Sequence, residues 1–130
     1  MKDDHKLKII IVDDDDFLVN MYARKFGNND VEVVACKSGS ELLDKLRAGD
    51  RADLILLDIV LPELDGVGTL EIIRKEKLAE DIPIVMLTNQ NDEGEMARIG
   101  KLGVAGYIVK ALATPSEAVA EALRIIKDYK

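Results

Sequence analysis

Five short apolar runs, each followed by a stretch with helical spacing, constrain this chain more than any other feature. The runs are residues 7–12, 31–35, 54–57, 84–87 and 104–109, and most are nearly continuous Ile, Val and Leu. Such runs mark strands buried on both faces, as in a parallel sheet. The second run is interrupted by Glu32, which predicts an edge strand with one wetter face. Between the runs, Phe17, Leu18, Met21, Tyr22 and Phe26 recur at helical spacing. So do Leu42, Leu43 and Leu46; Val67, Leu70 and Ile73; and Met96, Ile99 and Leu102. Ser38 with Glu41 forms a capping box. Thr114, Pro115 and Glu117 mark the start of the last helix, whose apolar face is Val119, Ala122, Leu123 and Ile126. Strict β-α alternation predicts an α/β fold: a parallel five-stranded sheet between two helical layers. Right-handed crossovers leave few topologies, of which the order 2-1-3-4-5 is a common one that places the second strand at an edge. In such sheets ligands bind beyond the carboxyl ends of the strands.

Size and charge narrow the function classes. The chain has 130 residues, enough for one domain with a real core. Its formal net charge is −7, with no basic stripe, which argues against a nucleic-acid partner. The polar start (Met1-Lys2-Asp3-Asp4-His5-Lys6) is not a signal peptide, and no apolar run approaches the ~20 residues of a membrane helix. Cys36 is the one cysteine, so no intrachain disulfide forms. A cytoplasmic protein without a membrane partner is the expectation. Cys36 reads as a buried strand residue, and His5, Asp3 and Asp4 as tail.

The acids gather where the topology puts a site. The first strand ends in Val12-Asp13-Asp14-Asp15-Asp16, the third in Leu57-Asp58, the fourth in Leu87-Thr88 and the fifth in Val109-Lys110. Converging carboxylates repel, so a positive group must compensate: Lys110 is one candidate and a hard divalent cation the other. Mg²⁺ takes one or two carboxylates together with waters and phosphate oxygens. Carboxylates facing a hydroxyl and a lysine suit phosphoryl chemistry, with Asp58 as nucleophile. Asp15 and Asp16, near a helix start, read as cap and dipole partners.

These residues carry a resemblance. The matched stretches are Ile9-Ile10-Ile11-Val12-Asp13-Asp14-Asp15, Asp53-Leu54-Ile55-Leu56-Leu57-Asp58, Leu61-Pro62-Glu63-Leu64-Asp65-Gly66, Pro83-Ile84-Val85-Met86-Leu87-Thr88 and Gly106-Tyr107-Ile108-Val109-Lys110. In this order, at these strand ends, the chain resembles a receiver domain of the two-component response-regulator family. The family is a standing example of the flavodoxin-like (βα)5 fold, so the strand order is also implied by the resemblance. It implies one receiver over residues 1–130, with a core of about 7–129 and no output domain. It further implies Asp58 as phospho-acceptor, and Mg²⁺ held by Asp13, Asp14, Asp58 and the Val60 backbone carbonyl. Thr88 and Lys110 would contact the phosphoryl group, and Tyr107 would switch rotamer with Thr88. The implied phosphodonor is a sensor histidine kinase, a phosphotransfer protein or a small acyl phosphate. The implied output surface is the fourth helix, fifth strand and fifth helix, acting on a downstream protein in two-component or phosphorelay signalling. The chain would not be an enzyme in its own right, beyond promoting its own phosphorylation and slow dephosphorylation.

Two departures stand out. The family has proline after the lysine, joined by a cis bond; here it is Ala111. A cis bond before a non-proline residue costs about 2.5–4 kcal/mol, so a trans bond and a rerouted loop are expected. Asn89 follows Thr88 where a small residue is usual. Val60 and Gln90 stand at the positions that tune hydrolytic water in this family, and the apolar Val60 implies slow autodephosphorylation. Two other functions compete. An aspartate-nucleophile phosphatase would place a second aspartate two residues on, where Val60 stands. A pseudo-receiver would bind partners without phosphorylation, against which the full set of acid, hydroxyl and lysine residues argues. Tyr107 could equally be a half-buried core residue with no switching role.

Overall fold

The computed structural model describes residues 6–88 and 93–129. Asn89 and Gln90, like Asp3, Asp4 and His5, lie outside the described residues. Five strands alternate with five helices: β1 (Lys8–Val12), α1 (Asp16–Gly27), β2 (Glu32–Cys36), α2 (Gly39–Arg47), β3 (Leu54–Asp58), α3 (Gly66–Lys75), β4 (Ile84–Thr88), α4 (Glu93–Leu102), β5 (Gly106–Val109) and α5 (Pro115–Tyr129). All strand pairs are parallel, in the order β2-β1-β3-β4-β5. The flavodoxin-like expectation holds, with β2 at an edge.

Period-two alternation sorts the strand side chains into two cores. Ile10, Val12, Ile55, Leu57, Ile84 and Met86 face α2, α3 and α4. Ile9, Ile11, Leu54, Leu56, Val85 and Leu87 face α1 and α5. Each such buried side chain contributes about 1.5–3 kcal/mol relative to exposure. The three central strands therefore read as continuous apolar runs because both faces are covered. At the β2 edge, Glu32 and Ala35 are exposed. No described helix is long and apolar enough to cross a membrane.

The helix starts are built by local chemistry. Asp15 caps α1 by accepting from the Leu18 N–H (3.2 Å), as its position suggested. Asp16 opens that helix and pairs with Lys37 at 3.4 Å. Ser38 Oγ accepts from Glu41 N–H (3.1 Å), but the Glu41 carboxylate accepts from Lys37 N–H rather than from the cap residue itself. Thr114 and Glu117 satisfy each other reciprocally (2.8 and 3.1 Å), a complete capping box. Arg74 of α3 donates to the carbonyls of Leu102 and Gly103 (3.1 and 2.8 Å), which serves the otherwise open carboxyl end of α4.

Three expectations shift. Phe17 is not in the core: it is 76% exposed, while α1 buries Val19, Tyr22 and Phe26. At 100° per residue Phe17 falls on the opposite side of α1 from Val19, Tyr22 and Phe26, so it points away from the sheet while Leu18 and Val19 of the same turn pack on it. β5 begins at Gly106, not Val104. Gly103 takes a left-handed φ of +82° at the end of α4, and pairing resumes at Ala105, whose N–H donates to Ile84 O (2.8 Å). On α5 the face also includes Ala118 and Ile125, and Leu123 is only half-buried.

Candidate functional site

Parallel register brings the strand ends to one crevice. Asp13 follows β1, and its N–H donates to Cys36 O (3.0 Å), tying it to the end of β2. Asp58 is the last residue of β3 and stands opposite Leu87 in the ladder. Thr88, one residue on, closes β4 opposite Val109. Lys110 comes next on the β5 side, its N–H donating to Thr88 O (2.8 Å). The Lys110–Ala111 peptide is trans. With the trans bond, Lys110 still reaches the crevice.

The side chains meet closely. Lys110 Nζ donates to Asp58 Oδ2 at 2.9 Å and stands 2.9 Å from Asp13 Oδ2. Asp13 Oδ1 accepts from Asp15 N–H (2.9 Å), and Asp58 Oδ1 accepts from Val60 N–H (3.3 Å). Asp13, Asp58 and Thr88 are buried, whereas Asp14 is exposed. One oxygen stands out. Asp13 Oδ2 is buried and feels the lysine charge, but the approach lies outside hydrogen-bond geometry and leaves it without a donor. Oxygen atoms of Asp13, Asp14 and Asp58 lie within 4.8 Å of one another.

The electrostatics follow from burial. Burial pushes the Asp58 carboxyl up to about 6; the Asp13 charge adds to this, while Lys110 opposes it. Burial of Lys110 disfavours its charge, yet the adjacent carboxylates of Asp13 and Asp58 outweigh this and hold its pKa above the ordinary lysine value. Two acids thus share one lysine in a low-dielectric crevice. Tyr22, expected only as core, also feels the site. Burial raises its hydroxyl pKa, with Lys110 lowering it and Asp13 raising it. Cys36 is buried and its thiol is pushed up to about 11, mainly by desolvation, which matches a structural strand residue.

The remaining expected residues take separate places. Val60 is the second residue of the loop after Asp58 and is 57% exposed. Tyr107 lies on the edge strand β5 opposite Met86, 37% exposed, at the surface rather than in the crevice. Asp65 and Gly66, of the matched loop, and Thr69, which no motif marked, brace the site from the start of α3. Asp65 caps α3 by accepting from Gly68 N–H (2.7 Å), and Thr69 Oγ1 donates to Asp65 O (2.8 Å). Gly66 N–H donates to Ile59 O (2.8 Å), which folds the loop back onto the end of β3. Asp65-Gly66 is visible as a turn signal, but its contact with the end of β3 is not.

Known proteins resemble this chain in sequence and fold. The family described as the response regulator receiver domain matches residues 9–123. The Bacillus subtilis alkaline phosphatase synthesis transcriptional regulatory protein PhoP is 32% identical over 120 residues, covering 92% of this chain and 48% of that protein. A chemotaxis protein CheY homolog of Campylobacter jejuni is 30% identical over 107 residues, covering 80% of this chain and 81% of that one. The receiver domain of the Francisella response regulator 1452 superposes with a TM-score of 0.82 at 25% identity, covering 95% of this chain and 99% of that one. The chain spans about half the length of curated relatives such as PhoP.

Proposed function

The chain belongs to the response regulator receiver domain family, and from that membership we propose that Asp58 is its phospho-acceptor, with residues 1–130 acting as a single receiver. One observation carries the assignment: Asp58 is buried at the carboxyl end of the sheet, beside Asp13, with Lys110 Nζ 2.9 Å from its Oδ2. A carboxylate oxygen of Asp58 attacks phosphorus in line, the bond from phosphorus to the donor breaks, and the donor leaves with the bonding pair. The donor is a phosphohistidine of a sensor histidine kinase or phosphotransfer protein, or a small acyl phosphate. Such transfer depends mainly on positioning and on stabilising charge at the equatorial oxygens. Lys110 supplies a fixed positive charge that shifts from the carboxylate to the incoming phosphoryl oxygens. Thr88 supplies a hydroxyl from the adjacent strand end.

The donor set fits a hard divalent cation. Asp13, Asp14 and Asp58 offer carboxylate oxygens, Asp13 Oδ2 has no hydrogen-bond donor, and the Val60 carbonyl completes the proposed protein ligands. Mg²⁺ bound there would neutralise charge on the transferring group. A newly formed acyl phosphate carries about −1.5 to −2 charge at neutral pH. We infer that Thr88 and Lys110 gain new bonds to it and bias the surface of α4, β5 and α5, where Tyr107 lies, toward a downstream protein partner. Val60 offers no group to orient water, which supports slow autodephosphorylation in a cytoplasmic setting. It also offers no general acid for a phosphatase.

Intact mass after incubation with Mg²⁺ and acetyl phosphate tests the assignment. The expected result is a gain of one phosphoryl group in the wild type and none in Asp58→Asn. No gain, or equal gain in both, would overturn it.

A further inference from the structure

The loop between Asp58 and α3 is pinned at a point where no side chain fits. A Cβ on Gly66 would stand 2.0 Å from Asp58 O, 2.8 Å from Asp58 C and 2.8 Å from Ile59 Cα. All three are backbone atoms of the acceptor strand or its immediate continuation. None can rotate away as a side chain would. The tie is reinforced by the Gly66 N–H donating to Ile59 O (2.8 Å).

Behind this contact the first turn of α3 is braced. Asp65 caps it through Gly68 N–H, and Thr69, fully buried, bonds back to Asp65 O. Gly39 of α2 packs so closely that a Cβ there would fall 2.0 Å from Thr69 Oγ1. In front of it, Glu63 is held at φ +64°, a left-handed conformation unfavourable for a residue with a side chain. The loop geometry is therefore imposed by the contacts at its ends, not by its own preferences.

We propose that Gly66 is a positioning residue for the phosphorylation site, its backbone seated on the Asp58 carbonyl so as to set where Asp58 and Val60 stand relative to Asp13. This rests on the reading of Asp58 as acceptor and of the carboxylates as a Mg²⁺ site. Bringing a Cβ to an ordinary 3.4 Å contact with Asp58 O from 2.0 Å requires a movement of about 1.4 Å. Lysine and carboxylates that now meet at 2.9 Å cannot absorb that and keep their geometry. Misplacement on this scale is costly to site function, by about 100-fold in rate for 1 Å in documented enzymes.

The test is calorimetric titration of Mg²⁺ with no phosphodonor present. Gly66→Ala is compared with wild type and with Leu46→Ala, which removes a buried α2 side chain outside the site. Gly66→Ala is expected to weaken Mg²⁺ binding by about tenfold or more, while Leu46→Ala loses stability and keeps wild-type affinity. Folded Gly66→Ala with wild-type affinity overturns the proposal, as does an equal loss in Leu46→Ala. Where Gly66→Ala does not fold, Asp65→Ala takes its place. It loosens the same turn by removing a cap and is expected to weaken binding by about two- to fivefold; unchanged affinity overturns the proposal. Wild type that binds no Mg²⁺ refutes the functional reading, and the proposal falls with it.

Discussion

The molecule carries two kinds of ion pair, and they behave differently. On the α2–α3 surface, Arg47 grips Glu76 with two hydrogen bonds (2.9 and 2.7 Å), both partners open to solvent. At the carboxyl end of the sheet, Lys110 serves Asp13 and Asp58 together at 2.9 Å, with both acids buried. The surface pair is better formed as a bond: one acid, one base, bidentate. It pulls Glu76 below the usual carboxylate range. The buried cluster is worse balanced, with an acid too many and an oxygen lacking a donor, and there burial, helped by the Asp13 charge, pushes Asp58 the other way. Good geometry in water contributes little. Poor balance among buried groups leaves a demand for positive charge, which is what the proposed cation and phosphoryl site would use.

Removing one partner from each cluster is the strongest way to break this contrast. Lys110→Ala leaves two buried carboxylates without a counter-charge and is expected to cost about 3–5 kcal/mol in Mg²⁺-free urea denaturation at pH 7. A loss no larger than that of a surface variant would mean that the crevice is well solvated.

Removing the excess acid should do the reverse. The folded-state pKa of Asp58, about 6, exceeds its ordinary value of 3.8. Its ionisation therefore opposes folding above pH 6, and that penalty vanishes below pH 4. At pH 7 with a chelator, Asp58→Asn is expected to be more stable than wild type by about 1–3 kcal/mol. The advantage should shrink as the pH falls from 7 to 4. A pH-independent difference would assign the effect to packing. Arg47→Ala is the smallest expected change: its urea midpoint should stay close to that of wild type, and a large shift would erase the distinction between the two kinds of pair.

Much of this contrast is legible in one dimension, because burial on both faces forces β1, β3 and β4 to be apolar throughout. Acids appearing abruptly at their ends, as at Asp13 and Asp58, are then conspicuous. What escaped depends on neighbours distant in sequence. Phe17 shares a helical stripe with Met21, but the face that meets the sheet is that of Val19, Tyr22 and Phe26, and only the packing decides between the two. The start of β5 at Gly106 depends on how α4 terminates at Gly103. Gly66 looks like an ordinary turn glycine until the chain returns it to the Asp58 carbonyl. Ala111 carried a warning about Lys110 that the structure removes, since the trans chain still delivers Nζ to both acids.

The most direct measurement locates the phosphoryl group itself. After treatment with acetyl phosphate and Mg²⁺, borohydride reduction converts an aspartyl phosphate to homoserine, which peptide mass mapping can place. Homoserine at position 58 alone is the expected result. Homoserine at Asp13, Asp14 or any other aspartate, with position 58 unmodified, would contradict Asp58 as the acceptor.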